Sequence, residues 1–123
     1  MGLDVRRSPI AGTWYEADPK TLKREVDGFM DAAHLPALSG EVLGIIAPHA
    51  GYYYSGPVAG YAFAAVRGAK PDLVAVLAPY HQFHHAHLLT ADHKGYATPL
   101  GTVSISQSAI WLCHFFGCGC RRC

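Results

Sequence analysis

The chain has 123 residues, half of them apolar and 15% charged, with a formal net charge of +1. That is enough for one domain with a real core, burying about 65% of its unfolded surface, and too apolar for a disordered segment. With no basic stripe and no apolar run near the ~20 residues that span a bilayer, nucleic acid and membrane are excluded as partners.

The first residues, Met1-Gly2-Leu3-Asp4-Val5-Arg6-Arg7, lack the apolar stretch of a secretion signal, so a cytoplasmic location is expected. Residues up to about Glu16 read as an extended arm laid over the surface and anchored by Trp14-Tyr15. A helix follows. Asp18 suits its cap and Pro19 its first position. Leu22, Val26, Phe29, Met30 and Ala33 then give one apolar stripe at spacings of three and four.

Residues 42–47 (Val-Leu-Gly-Ile-Ile-Ala) form a short apolar run that reads as a buried strand, ending at Pro48-His49. Three tyrosines, Tyr52 to Tyr54, come next. Ser55 or Gly56 can cap a second helix with Pro57 at its first position, running to about Arg67, where Gly68 and Pro71 stop it. Residues 73–78 (Leu-Val-Ala-Val-Leu-Ala) repeat the strand signal and end at Pro79-Tyr80-His81. Strand, helix and strand at this spacing predict one βαβ unit in a mostly parallel sheet with flanking helices, hence an α/β fold. A third strand is expected around His87 to Thr90, and a shorter one at Val103 to Ile105 after the turn Thr98-Pro99-Leu100-Gly101.

From about Gln107 neither period holds. Cys113, Cys118, Cys120 and Cys123 crowd into this end. A disulfide framework would spread them through the fold, and Cys118-x-Cys120 is not the usual metal-binding spacing. We therefore divide the chain into a domain portion, residues 1–106, and an aberrant cysteine-rich tail, residues 107–123, outside the fold.

The chemistry centres on the repeated pattern of a strand, Ala-Pro and then a histidine. If the two runs are parallel neighbours, His49 and His81 emerge at the same sheet edge, where open α/β sheets place ligands. Strands about 4.8 Å apart would let both imidazoles share one metal ion or one substrate. Tyr52, Tyr54 and Tyr80 are candidates for the pocket wall. Ser55 and Gly56, read as a helix start, could offer free N–H groups to an anionic ligand. His84, His85 and His87 extend a histidine-rich tract, but loop histidines are more often simply solvated. His93 is a weaker candidate still. His34 suits the negative end of the first helix. No nucleophile–base pair, G-x-S-x-G or phosphate-cradling loop is present.

Several stretches together resemble the MEMO family, known in bacteria and archaea as protein B of the AmmeMemoRadiSam system. They are Arg6-Arg7 with Ala11-Gly12-Thr13-Trp14-Tyr15, the block from Ile45 to Tyr52 with Tyr54-Ser55-Gly56, Pro79-x-His81, and Thr98-Pro99-Leu100-Gly101. The resemblance implies a fold similar to class III extradiol dioxygenases, which hold non-haem iron. It assigns His49 and His81 as two histidine ligands of a divalent metal, iron or else copper or zinc. It leaves open whether the chain is an enzyme or an adaptor binding a peptide in the same cleft. Association with radical-SAM and AMMECR1-type proteins is also implied. The chain departs from the family at Tyr80, where a serine is usual. Members are roughly twice as long, and their third ligand, typically cysteine, lies in the half absent here. The expectation is a truncated or frameshifted reading of a longer gene, with an incomplete site, and a non-functional truncated product is the further alternative.

Overall fold

A computed structural model describes residues 4–85, 88–110 and 120–122. The chain falls into two compact units, one of residues 9–72 and the other of residues 1–8 with 73–123. Among the described residues no helix is long and apolar enough to cross a membrane.

The first unit is a helical pair. Helix α1 spans Pro19–Asp31, with Asp18 at its cap accepting a 2.7 Å hydrogen bond from the Thr21 amide and Pro19 in the first turn. That hydrogen bond, the largest influence on the Asp18 carboxyl, holds it below its ordinary value. Helix α2 spans Tyr52–Ala64 and contains Pro57. It starts earlier than expected. Ser55 and Gly56 therefore lie inside the first turns rather than at the cap, and the Ser55 amide is already bonded to the Gly51 carbonyl.

The helices approach closely because α2 presents Gly56 and Gly60 to α1. A Cβ added at Gly56 would fall 2.4 Å from the Phe29 ring, and one at Gly60 would fall 2.4 Å from the Phe29 carbonyl oxygen. Gly60 is thus matched to main chain that cannot rotate away, whereas Gly56 faces a ring that can. Arg67 pairs with Asp27 and Asp31 across the same contact. These exposed pairs contribute little beside the packing.

The second unit carries the sheet. Strand β1 is Val5–Arg7, β2 Leu88–Thr90, β3 Gly95–Thr98, β4 Gly101–Ser104 and β5 Cys120–Arg122. Strands β1 and β3 pair in parallel, β3 and β4 antiparallel, giving the order β1-β3-β4. The expected turn closes the β3–β4 hairpin. The Leu100 amide donates to Thr98 Oγ1, and Gly101 takes φ +135°, a conformation that favours glycine. Strands β2 and β5 pair in parallel. Cys120–Arg122, assigned to the aberrant tail, thus takes part in a ladder. His87, Cys113, Cys118 and Cys123 lie outside the described residues.

The chain is α/β, but its sheet is not the predicted one. Residues 5–7, read as part of an arm, form a strand, and residues 42–47 and 73–78 form none. Leu43 and Ile46 are 91% and 98% exposed, and Val76 and Leu77 are 82% and 86% exposed. The predicted βαβ unit through these runs is therefore corrected. Apolar, β-prone sequence becomes strand only where a ladder partner and a facing layer bury it, and among the described residues neither run has one.

The glycine contact yields a paired expectation. Gly60→Ala should destabilise the chain by about 1–3 kcal/mol through overpacking. Gly28→Ala, in α1 with nothing within 4 Å of its added Cβ, should stabilise it by about 0.5–1 kcal/mol. Urea unfolding of both variants checks this, and a Gly60→Ala chain as stable as the parent would refute the close approach.

Candidate functional site

His49 sits on the irregular segment leading into α2, which is tied at two points after His49. At the α2 end, the Tyr52 amide donates a 2.8 Å hydrogen bond to the Trp14 carbonyl. This satisfies a first-turn N–H that a helix leaves without an internal acceptor. Gly51 permits the approach, since a Cβ there would lie 3.3 Å from that same carbonyl oxygen. In the middle, the hydroxyl of Ser55, only 6% exposed, donates a 2.7 Å hydrogen bond back to the Ala50 carbonyl. Ser55 thus acts on the main chain beside His49.

The tied connection borders a cavity of about 510 Å³ within the helical unit, in the size range of small-molecule sites. Trp14 and Tyr15 wall it from the arm, Val26, Phe29 and Met30 from α1, and Tyr52, Gly56, Gly60 and Phe63 from α2, with Pro48 and the exposed His49 at its edge. The rings of Tyr15 and Tyr52 lie 5.4 Å apart, and Phe29 meets Tyr52 edge-on at 6.3 Å. Trp14-Tyr15, read as an anchor for the arm, both ties the arm to α2 and lines the cavity.

The sequence candidates separate accordingly. His49, Tyr52, Ser55 and Gly56 gather at this cavity. Tyr54 does not. An extended segment would have put Tyr52 and Tyr54 on one face, but in a helix residues two apart point to different sides. Tyr54 is exposed and packs edge-on against Tyr53. Ser55 and Gly56 offer no free first-turn amides, because the helix begins at Tyr52. Tyr80 and His81 belong to the other unit and are exposed there, where Tyr80 meets His84 edge-on and its hydroxyl donates to Gln82. His85 meets Phe83 edge-on. His93 lies 3.0 Å from an Asp4 carboxylate oxygen, linking the segments that lead into β3 and β1.

One group went unnoticed in the sequence. Glu25 stands within the stripe Leu22, Val26, Phe29 at helical spacing, and its Oε2 is buried with no hydrogen-bond partner. A carboxylate interrupting an otherwise apolar stripe was the available signal. Burial first, then Tyr15 and Glu25, push the Tyr52 phenol above its ordinary value. Among the described residues, no three His, Cys, Asp or Glu side chains gather as a metal-binding group.

With this geometry established, comparison with known proteins decides the family. The model of Memo-like proteins matches residues 6–111. The chain belongs to the Memo-like family. It is 36% identical over 112 residues to a MEMO1 family protein of Pyrobaculum aerophilum, covering 85% of this chain and 40% of the relative. Similar matches are a MEMO1 family protein of Methanothermobacter thermautotrophicus, 36% over 110 residues (84% and 40%), and one of Saccharolobus solfataricus, 36% over 118 residues (86% and 41%). The chain therefore spans about two fifths of the length of these Memo-like relatives. The matched segment includes His49, the cavity residues and His81, and extends past the expected domain boundary at 106.

The raised Tyr52 value has a pH consequence. Its phenol is protonated in the folded chain at pH values where an unfolded tyrosine, near pKa 10, has begun to ionise. The associated stability is present below about pH 10 and is lost as pH rises through the folded value. Following phenolate absorbance should reveal one late-titrating tyrosine that disappears in Tyr52→Phe. An unchanged titration curve in that variant would contradict the assignment.

Proposed function

We propose that this chain carries the two-histidine portion of a divalent-metal site related to those of class III extradiol dioxygenases, with His49 and His81 as nitrogen donors. The observation that carries the reading is His49, set at the mouth of an aromatic cavity on a connection tied by Trp14 and Ser55. The matching position of His81 after Ala78-Pro79 supports its pairing with His49. Imidazole donors suit iron, copper or zinc rather than magnesium or calcium.

His49 and His81 would hold the metal, which would supply Lewis-acid or redox chemistry toward a small aromatic substrate. The chain's own residues do the rest. The clamp fixes the position of the His49 main chain, the cavity walls hold an apolar body, and Tyr52 presents a protonated phenol. The site of a complete family member would take further ligands from elsewhere in the protein.

Recognition without turnover is the second reading, favoured by the almost wholly apolar walls of the cavity. There a peptide or small molecule would occupy the space beside His49, and radical-SAM and AMMECR1-type proteins would be its partners by family association.

Titration with ferrous, cupric or zinc ions separates these readings. Weak binding is expected, lowered about tenfold or more by His49→Ala and by His81→Ala. Full affinity in both variants would remove the metal assignment and leave recognition.

A further inference from the structure

We propose that the outer face of α2 is a docking surface for the part of a Memo-like protein that lies outside the matched segment, the two assembling as pieces of one domain. The assembly requires no metal and uses neither His49 nor His81.

Helix α2, Tyr52–Ala64, contains no charged residue. One side of it is spent on α1, where Gly56 and Gly60 meet Phe29. Tyr54, Val58 and Tyr61 follow at spacings of four and three, so they form a single stripe. At about 100° per residue that stripe lies opposite the two glycines. It is open, the three residues being 79%, 63% and 48% exposed. A surface helix ordinarily turns polar side chains outward, and one apolar on every side belongs between two layers. Here α1 supplies one layer and the exposed stripe marks the place of the other. A lipid surface does not suit this helix, which has no lysine or arginine to meet headgroups.

The relatives indicate what belongs on that face. The family match runs through α2, over residues 6–111, yet it occupies only 40% of the Pyrobaculum aerophilum protein. The Methanothermobacter thermautotrophicus and Saccharolobus solfataricus proteins match over 40% and 41% of theirs. In each, the helix equivalent to α2 is accompanied by about three fifths more protein. A larger domain buries a larger share of its surface, so the remainder has the apolar layer that this helix lacks. Leu43 and Ile46, in the same unit and just ahead of the helix, show the same deficit of cover.

The probe is the unmatched part of the Pyrobaculum aerophilum relative, split off at the boundary of the match and shown beforehand to rejoin its own other part. Mixed with this chain in buffer containing EDTA, it should form a one-to-one complex by size exclusion with light scattering. Tyr54→Asp should weaken that complex about tenfold or more, because its carboxylate would be buried without a partner. In the chain alone the same substitution should be mild, since Tyr54 is exposed and an acidic residue suits the first turn of a helix. Urea unfolding checks this. Val58→Asp should act in the same direction, and Lys20→Asp, at the exposed start of α1, should leave affinity within about twofold. Absence of a complex would overturn the proposal, as would a complex indifferent to both Tyr54→Asp and Val58→Asp. A dimer of this chain alone that both substitutions dissolve would also overturn it, assigning the face to a second copy.

Discussion

The Trp14 carbonyl accepting the Tyr52 amide is the contact on which the rest of the helical unit depends. It joins the arm to the first residue of α2 across 38 positions of sequence. In doing so it fixes where α2 begins, satisfies an amide that would otherwise need water, and brings Trp14 and Tyr15 against the cavity. Ser55 completes the arrangement from within the helix by reaching back to Ala50. His49 lies one residue before Ala50, so the backbone that carries the candidate ligand is fixed by local chemistry.

The cavity follows from how the two helices meet. Gly56 and Gly60 let Phe29 and its main chain come close, and the neighbouring larger residues stand apart around the space. A helix with side chains at both positions could not approach α1 in this way. Glu25 Oε2, outside the cavity lining, is buried without a hydrogen-bond partner among the described residues.

Much of the local structure was legible in the sequence. Asp18-Pro19 signalled the start of α1 because a cap and its first-turn proline act over four residues. Thr98 to Gly101 signalled its turn for the same reason, but not the strand Gly95–Thr98 that the turn pairs with β4. The family was legible too, from motifs around Trp14, His49 and His81. The start of α2 was not, because its first amide is satisfied by Trp14, whose proximity no local rule reveals. Pro57 suits a first turn, yet α2 starts at Tyr52, and the helical period turns Tyr54 away from Tyr52. The runs at 42–47 and 73–78 carried the strongest strand signal, yet pairing is a property of neighbours, and residues 5–7 took a place in the sheet instead. The closeness required at Gly60 and the stranded oxygen of Glu25 emerge only when α1 and α2 are brought together.

Amide hydrogen exchange at Tyr52 tests the clamp most directly. The first amide of a helix lacks an internal acceptor and ordinarily exchanges quickly. Here it should be protected to a degree comparable with amides in the second turn of α2, and Ser55→Ala should reduce that protection by loosening the adjoining connection. A Tyr52 amide that exchanges in the native chain as fast as an unstructured one would mean that the arm does not hold α2, and that His49 is not fixed beside the cavity.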